Sequence, residues 1–132
     1  TQSRSSAASD VYKRQLKALP MAMQATDLLA AQAELKNIHV SAALIDYIQA
    51  LAAASRQNGM FVEGLSPRAT IALLQAARAW AALEGRNHVI PEDVQAVLVP
   101  VTAHRLRSVK AGSASALGSR DLVLQLMRSV SV

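Results

Sequence analysis

Residues 64–85 read GLSPRATIALLQAARAWAALEG, and this stretch decides the fold. Ser66 is a strong N-cap residue, and Pro67 suits the first helical position because its fixed φ is already helical and its missing N–H would have had no partner there. From that start apolar residues recur at helical spacing. Ala69, Leu73, Ala76, Trp80 and Leu83 form one stripe, Ile71, Leu74 and Ala77 an adjacent one, and Ala72 and Ala79 fill much of what remains. Gly85 supplies the left-handed position that ends the helix. A helix so apolar around its circumference is expected at the centre of a helical domain. One residue does not fit: Arg68 stands in the first turn, where the partial positive charge of the helix end disfavours a cation. Unused N–H groups at a helix start attract anions, and a guanidinium adds a forked, permanently charged donor for phosphate oxygens. An anion is one explanation of Arg68; a solvated arginine pairing with Glu63 or lying over apolar surface is the other.

Upstream, Met60–Leu65 is an apolar segment that must be partly tucked in before it delivers the chain to Ser66. Ser41 caps a helix expected to run to about Gln57, with Leu44, Ile48, Leu51 and Ser55 in one stripe widened by Ile45 and Ala52, and Asn58-Gly59 stops it. Before it lies a break at Asn37–Val40 and a first helix, capped by Thr26 or Asp27 and running to about Lys36, with Leu28, Ala31 and Leu35 on one face. Downstream, Pro91 opens a fourth helix with Glu92 and Asp93 in its first turn, where acids complement the helix dipole, and Val94, Val97, Leu98 and Val101 form its core face. Pro100 predicts a kink, or two short helices meeting near Val99. Gly112-Ser113-Ala114-Ser115 reads as a linker, and a last amphipathic helix capped by Ser119 runs to about Val130, burying Leu122, Leu126 and Met127. The reading is thus all-α: a small bundle of about five helices, with a helical domain over 16–107, a linker over 108–118 and a C-terminal helix over 119–132 that docks on the domain.

Residues 1–15 stand apart. Ser6–Gln15 resembles a translated sequencing adapter, which makes it non-native; a disordered tail is the alternative, and neither enters the fold. Without Arg4, Lys13, Arg14 and Asp10 the net charge falls from +5 to +3. That residue of basic character is thinly spread and has no aromatic interleaving, so nucleic acid is not expected as a partner. The absence of cysteine excludes a disulfide scaffold and thiolate metal sites and fits a cytoplasmic protein. No apolar run is long enough to span a membrane.

Several chemistries have no residues to carry them. None of the five glycines precedes a lysine, so there is no phosphate-cradling Gly-Lys-Ser/Thr loop. His39, His88 and His104 are scattered, no two of them standing at the i+3 or i+4 spacing of a helical metal site, and Glu92 and Asp93, being adjacent on a helix, point about 100° apart.

Gly64-Leu65-Ser66-Pro67-Arg68-Ala69, followed by Ala76-Ala77-Arg78-Ala79, Glu84-Gly85-Arg86, Pro91-Glu92-Asp93-Val94 and His104-Arg105-Leu106, resembles the C-terminal lid of a MoxR-family AAA+ ATPase. Val40-Ser41, Leu44 to Leu51 and Ser55-Arg56 fit the same lid, and the resemblance covers roughly Leu19 to Leu106. Magnesium-chelatase small subunits share parts of the pattern, but Ser-Pro-Arg points to the MoxR side. The resemblance implies that Arg68 is the second-sensor arginine, reaching the γ-phosphate of ATP held by a neighbouring nucleotide domain. It implies ATP and Mg2+ as cofactors of the full-length parent, with none bound by this fragment alone and no hydrolysis by it. The implied partners are an N-terminal AAA+ nucleotide-binding domain, further copies in a homo-hexamer, and client proteins with a von Willebrand factor A domain. Arg56, Arg78 and Arg86 are weaker candidates, Arg78 for a helix junction or the next subunit and Arg86 for capping the helix C-terminus. Ile90 stands where such lids usually carry Thr, which predicts a lost cap on the fourth helix. A stand-alone interaction module using the last helix, or a basic nucleic-acid-binding helical domain, are the competing readings.

Overall fold

The computed structural model describes residues 20–109 and 118–132; the tail over 1–15 and most of the expected linker lie outside the described residues. Among the described residues five α-helices follow one another: α1 (Ala25–Glu34), extended by a 3-10 turn at Leu35–Asn37, α2 (Ala42–Gln57), α3 (Pro67–Leu83), α4 (Pro91–Thr102) and α5 (Ser119–Ser129). There is no strand among the described residues, so the all-α expectation holds.

The chain divides into two units after Gln32. The first holds most of α1, which has no buried residue. Its start differs from expectation: the helix begins at Ala25, and Asp27 acts from inside the first turn, its Oδ2 accepting the Gln24 N–H at 3.1 Å.

The second unit, residues 33–132, contains the core. Ser41 and Ser66 cap α2 and α3 through hydrogen bonds from Leu44 N and Ala69 N, both 3.2 Å, so two of the sequence-level caps are the structural ones. The most extensive helix pairing is α3 with α4. The row that α3 buries is Ala69, Leu73, Ala77 and Ala81, not the stripe through Trp80 and Leu83, which are 41% and 83% exposed. The reason is geometric: residues four apart form a ridge inclined to the helix axis, and a row with three alanines lets a second helix approach closely. Large side chains at Trp80 and Leu83 would hold it off. With Ile71 61% exposed as well, α3 is a wall of the core, not a helix buried on every side.

Pro100 does not split α4, which runs continuously to Thr102. Pro100 and Ala96, whose carbonyl loses its partner to the proline, are both exposed, so water can take that bond. Thr102 Oγ1 donates to Leu98 O at 2.7 Å and secures the last turn. In α5 the N-cap is Gly118, with Ser119 already helical, and Val123 is buried alongside Leu122 and Leu126 while Met127 is only half-buried. The helix packs on α4 and α2 through Leu122, Val123 and Leu126.

Two connector pairings tie the loops together. His39 N donates to Asn87 O (2.8 Å) and Val89 N to His39 O (3.0 Å), joining the entries to α2 and α4; Val62 N donates to Arg107 O (2.9 Å) and Val109 N to Met60 O (3.1 Å), joining the segment before α3 to the one after α4.

Candidate functional site

The candidate site is the start of α3 and the structure that holds it. Leu65 is almost wholly buried, and both of its backbone groups are taken by neighbouring residues at the end of α2. Its N–H donates to Ser55 Oγ at 2.8 Å, and its carbonyl accepts from Arg56 Nη1 at 2.8 Å. The Ser55 hydroxyl donates onward to Ala52 O at 2.7 Å, so this buried serine is fully used. Gly64 lies against the same turn: a Cβ there would overlap Arg56 Cγ and stand 2.8 Å from Arg56 N and Ser55 Oγ.

One residue later Ser66 caps the helix. Its carbonyl accepts from Thr70 N (3.0 Å) and from Thr70 Oγ1 (3.1 Å), and its side chain takes the Ala69 N–H. Pro67 has no N–H, so among the first-turn donors only the Arg68 N–H is left over. The helix end is therefore a weaker anion attractor than an uncapped one, and attraction at this spot rests chiefly on the Arg68 guanidinium. Arg68 is exposed and makes no hydrogen bond or ion pair with any described residue, Glu63 included.

The other arginines have different surroundings. Arg56 is committed through one nitrogen to Leu65 O and borders an open groove of about 630 Å³ between α2 and α3, lined also by Gln49, Ala53, Pro67 and Thr70. Arg78 is half-buried on α3, its Nε shielded and without a hydrogen-bond partner, and it forms no ion pair among the described residues. Arg86 closes the C-terminus of α3 through its backbone and not through its side chain. Its own N–H bonds Ala81 O (2.9 Å), but its guanidinium crosses to α4 and forms a two-point ion pair with Asp93, one bond at 2.7 Å. Asp93 Oδ2 also accepts the Ile90 N–H at 2.8 Å. The Arg86 hydrogen bond, opposed by burial and reinforced by the Ile90 N–H, holds the Asp93 carboxyl below its ordinary range, and the same bond raises Arg86. Ile90 lacks a side-chain acceptor, so only half of a capping box forms; the acid at the third position makes good part of the expected loss.

Sequence reasoning singled out Arg68 but missed the clamp on Leu65 and the Arg86–Asp93 pair. The clamp had a signal: Ser55 recurs in the apolar stripe of α2, and a buried hydroxyl needs a partner. Among the described residues no three His, Cys, Asp or Glu side chains come together as a metal site.

A family model described as an AAA lid domain matches residues 53–124. The chain belongs to the AAA lid domain family. The match spans the clamp, Arg68 and the Arg86–Asp93 pair. The lid is 33% identical over 107 residues to the uncharacterized protein YeaC of Bacillus subtilis, an alignment covering 80% of this chain and 33% of that protein. It is 33% identical over 115 residues to chaperone MoxR1 of Mycobacterium tuberculosis, covering 80% of this chain and 30% of that one. Over 43 residues, a third of the chain, it is 60% identical to protein MoxR of Paracoccus denitrificans, of which that segment is 13%. In three dimensions it matches the crystal structure of a protein assigned as an ATPase from Cytophaga hutchinsonii, with a TM-score of 0.69, 27% identity, and coverage of 75% of this chain and 33% of that one. The lid thus spans about a third of the length of the longer relatives it matches, and it is a lid of the MoxR type. No helix among its described residues is long and apolar enough to cross a membrane.

Proposed function

We propose that this lid works as the nucleotide-reporting part of a cytoplasmic, ring-forming ATPase of the MoxR type, and that Arg68 is its phosphate contact. The observation that carries the reading is the state of Arg68: an exposed guanidinium, without a partner among the described residues, on the first turn of a helix whose entry is held at Leu65 and capped at Ser66. A cation in that position costs helix stability, and an anionic ligand reverses the cost.

Arg68 would meet the γ-phosphate of ATP bound by a separate nucleotide domain of the parent protein, and lose that contact when the phosphate leaves. The lid would then take one angle in the triphosphate state and another after hydrolysis, a change worth what the contact is worth in one state and not the other. In a ring of such subunits, each angle change would be passed to partner proteins as remodelling work. The name of the MoxR1 relative, a chaperone, agrees with that use. Client proteins bearing a von Willebrand factor A domain remain the partner class implied by the family resemblance. Mg2+ would be held by the nucleotide domain.

The test is Arg68→Ala in the full-length ATPase. Loss of one charged contact to a transferring phosphoryl group is expected to lower turnover by about 100-fold or more, while helicity by circular dichroism stays unchanged because the side chain is exposed. Turnover equal to the unmodified enzyme would remove the phosphate role.

A further inference from the structure

Two residues, Ser66 and Pro67, separate the buried Leu65 from Arg68, and little freedom is left among them. Leu65 is held through its N–H by Ser55 and through its carbonyl by Arg56. Ser66 is fixed by its cap, and Pro67 has its φ fixed by its ring. The buried Leu65 side chain would suffice to anchor the segment to the core. Two further polar bonds, between adjacent residues of α2 and the N–H and carbonyl of Leu65, do something more: they restrain the two peptide planes on either side of Leu65 as the backbone enters α3. Arg56 is the more informative of the two. Its side chain is on the exposed surface, where a guanidinium is satisfied by water, yet it turns back onto a loop carbonyl beside the groove that α2 shares with Pro67 and Thr70.

We propose that Ser55 and Arg56 are positioning residues for Arg68, coupling the end of α2 to the direction in which the sensor cation leaves α3. The inference rests on the reading of Arg68 as the phosphate contact. A charged contact to a transferring group is sensitive to displacements of the order of an ångström, so loosening the clamp weakens the contact while leaving Arg68 itself in place. Ser55 and Arg56 then matter only when Arg68 is present to be aimed.

A double-mutant cycle in the full-length ATPase tests this. The values of kcat and KM for ATP are measured for Arg56→Ala, Arg56→Lys and Ser55→Ala, each with Arg68 and with Arg68→Ala, and thermal melts accompany every variant. With Arg68 present, Arg56→Ala and Ser55→Ala are expected to lower kcat by about 10- to 100-fold, and Arg56→Lys, which can still donate to the Leu65 carbonyl, to recover most of it. In the Arg68→Ala background the same changes are expected to have less than about a twofold effect, because the aimed group is gone. Where turnover in that background is too low to divide further, the affinity for a fluorescent ATP analogue is read in the same cycle. Equal losses in both backgrounds overturn the proposal and assign Arg56 a direct contact or a general structural role. An unaltered kcat for Arg56→Ala overturns it as well, and does so independently of whether Ser55→Ala folds. If Arg68→Ala alone leaves turnover intact, the sensor reading fails first and the positioning role falls with it, an outcome distinct from the other two.

Discussion

Arg86 and Asp93 join the end of α3 to the start of α4: both terminal nitrogens of the guanidinium meet the two carboxylate oxygens, and one of those oxygens also takes the N–H of Ile90. Asp93 is 2% exposed and Arg86 partly so, which makes the carboxylate the buried half of the pair. A buried carboxylate survives only because it is hydrogen-bonded on both oxygens.

This pair is expected to set an acid limit on the lid's stability. The folded Asp93 carboxyl lies below its unfolded value, chiefly through the Arg86 hydrogen bond, so the native state holds fewer protons than the unfolded chain through the carboxylate range. Its contribution is complete above that range and is lost as pH falls through the folded value. Stability from this group is expected to be flat above about pH 5 and to fall below about pH 4. Thermal melts between pH 7 and pH 2 check it: Asp93→Asn should be less stable at neutral pH and show a shallower acid slope. An identical slope in both proteins would mean that the pair does not link folding to protons.

Gly64 is expected to tolerate no side chain. Its φ is not the issue; the space is, since a methyl group would press on Arg56 and Ser55 at the end of α2. Two of the three near atoms, Arg56 N and the hydrogen-bonded Ser55 Oγ, cannot easily yield. Gly64→Ala should cost about 1–3 kcal/mol, the range for overpacking, measured as a lowered midpoint in urea without a change of slope.

The inclined alanine row of α3 gives a contrast between two substitutions on one helix. Ala77→Leu adds three carbons where the residue is fully buried, and should destabilise by about 1–3 kcal/mol. Leu83→Ser removes a large apolar side chain that is 83% exposed, and should change stability by less than about 0.5 kcal/mol. Were the stripe through Trp80 and Leu83 the packed one, the order would reverse.

That contrast also shows what could be read from the chain. The helix starts at Ser41, Ser66 and Pro91 were legible because caps and N-terminal prolines act locally. The side of α3 that faces α4 was not, because almost every position of α3 is apolar, and the choice between Ala77-Ala81 and Trp80-Leu83 is made by how closely another helix can approach. Arg68 was legible as a misplaced charge. Of its clamp only Ser55 left a signal, in the apolar stripe of α2, since the bonds join residues ten and nine positions apart through the backbone of Leu65, whose own identity carries no trace of them. The Arg86–Asp93 pair was hidden for a similar reason: Asp93 already had a local explanation at a helix start, and nothing in the sequence says that a second role is laid over the first.

Ser66→Asp should separate folding from the proposed phosphate contact of Arg68. Aspartate is as good an N-cap as serine, and its charge adds a favourable interaction with the helix end, so the cap to Ala69 N is preserved and stability should hold or rise by about 0.5 kcal/mol. The new carboxylate stands two residues from Arg68, where it offsets the cation and repels an incoming phosphate. In the full-length ATPase the variant is expected to raise KM for ATP or lower kcat, and the loss should shrink in high salt as the added charge is screened. Ser66→Ala gives the opposite pairing: it loses about 1 kcal/mol of stability with the cap but places no negative charge near Arg68. If Ser66→Asp sustains normal turnover at low salt, the region around Arg68 does not meet an anion, and the helix start is structural alone.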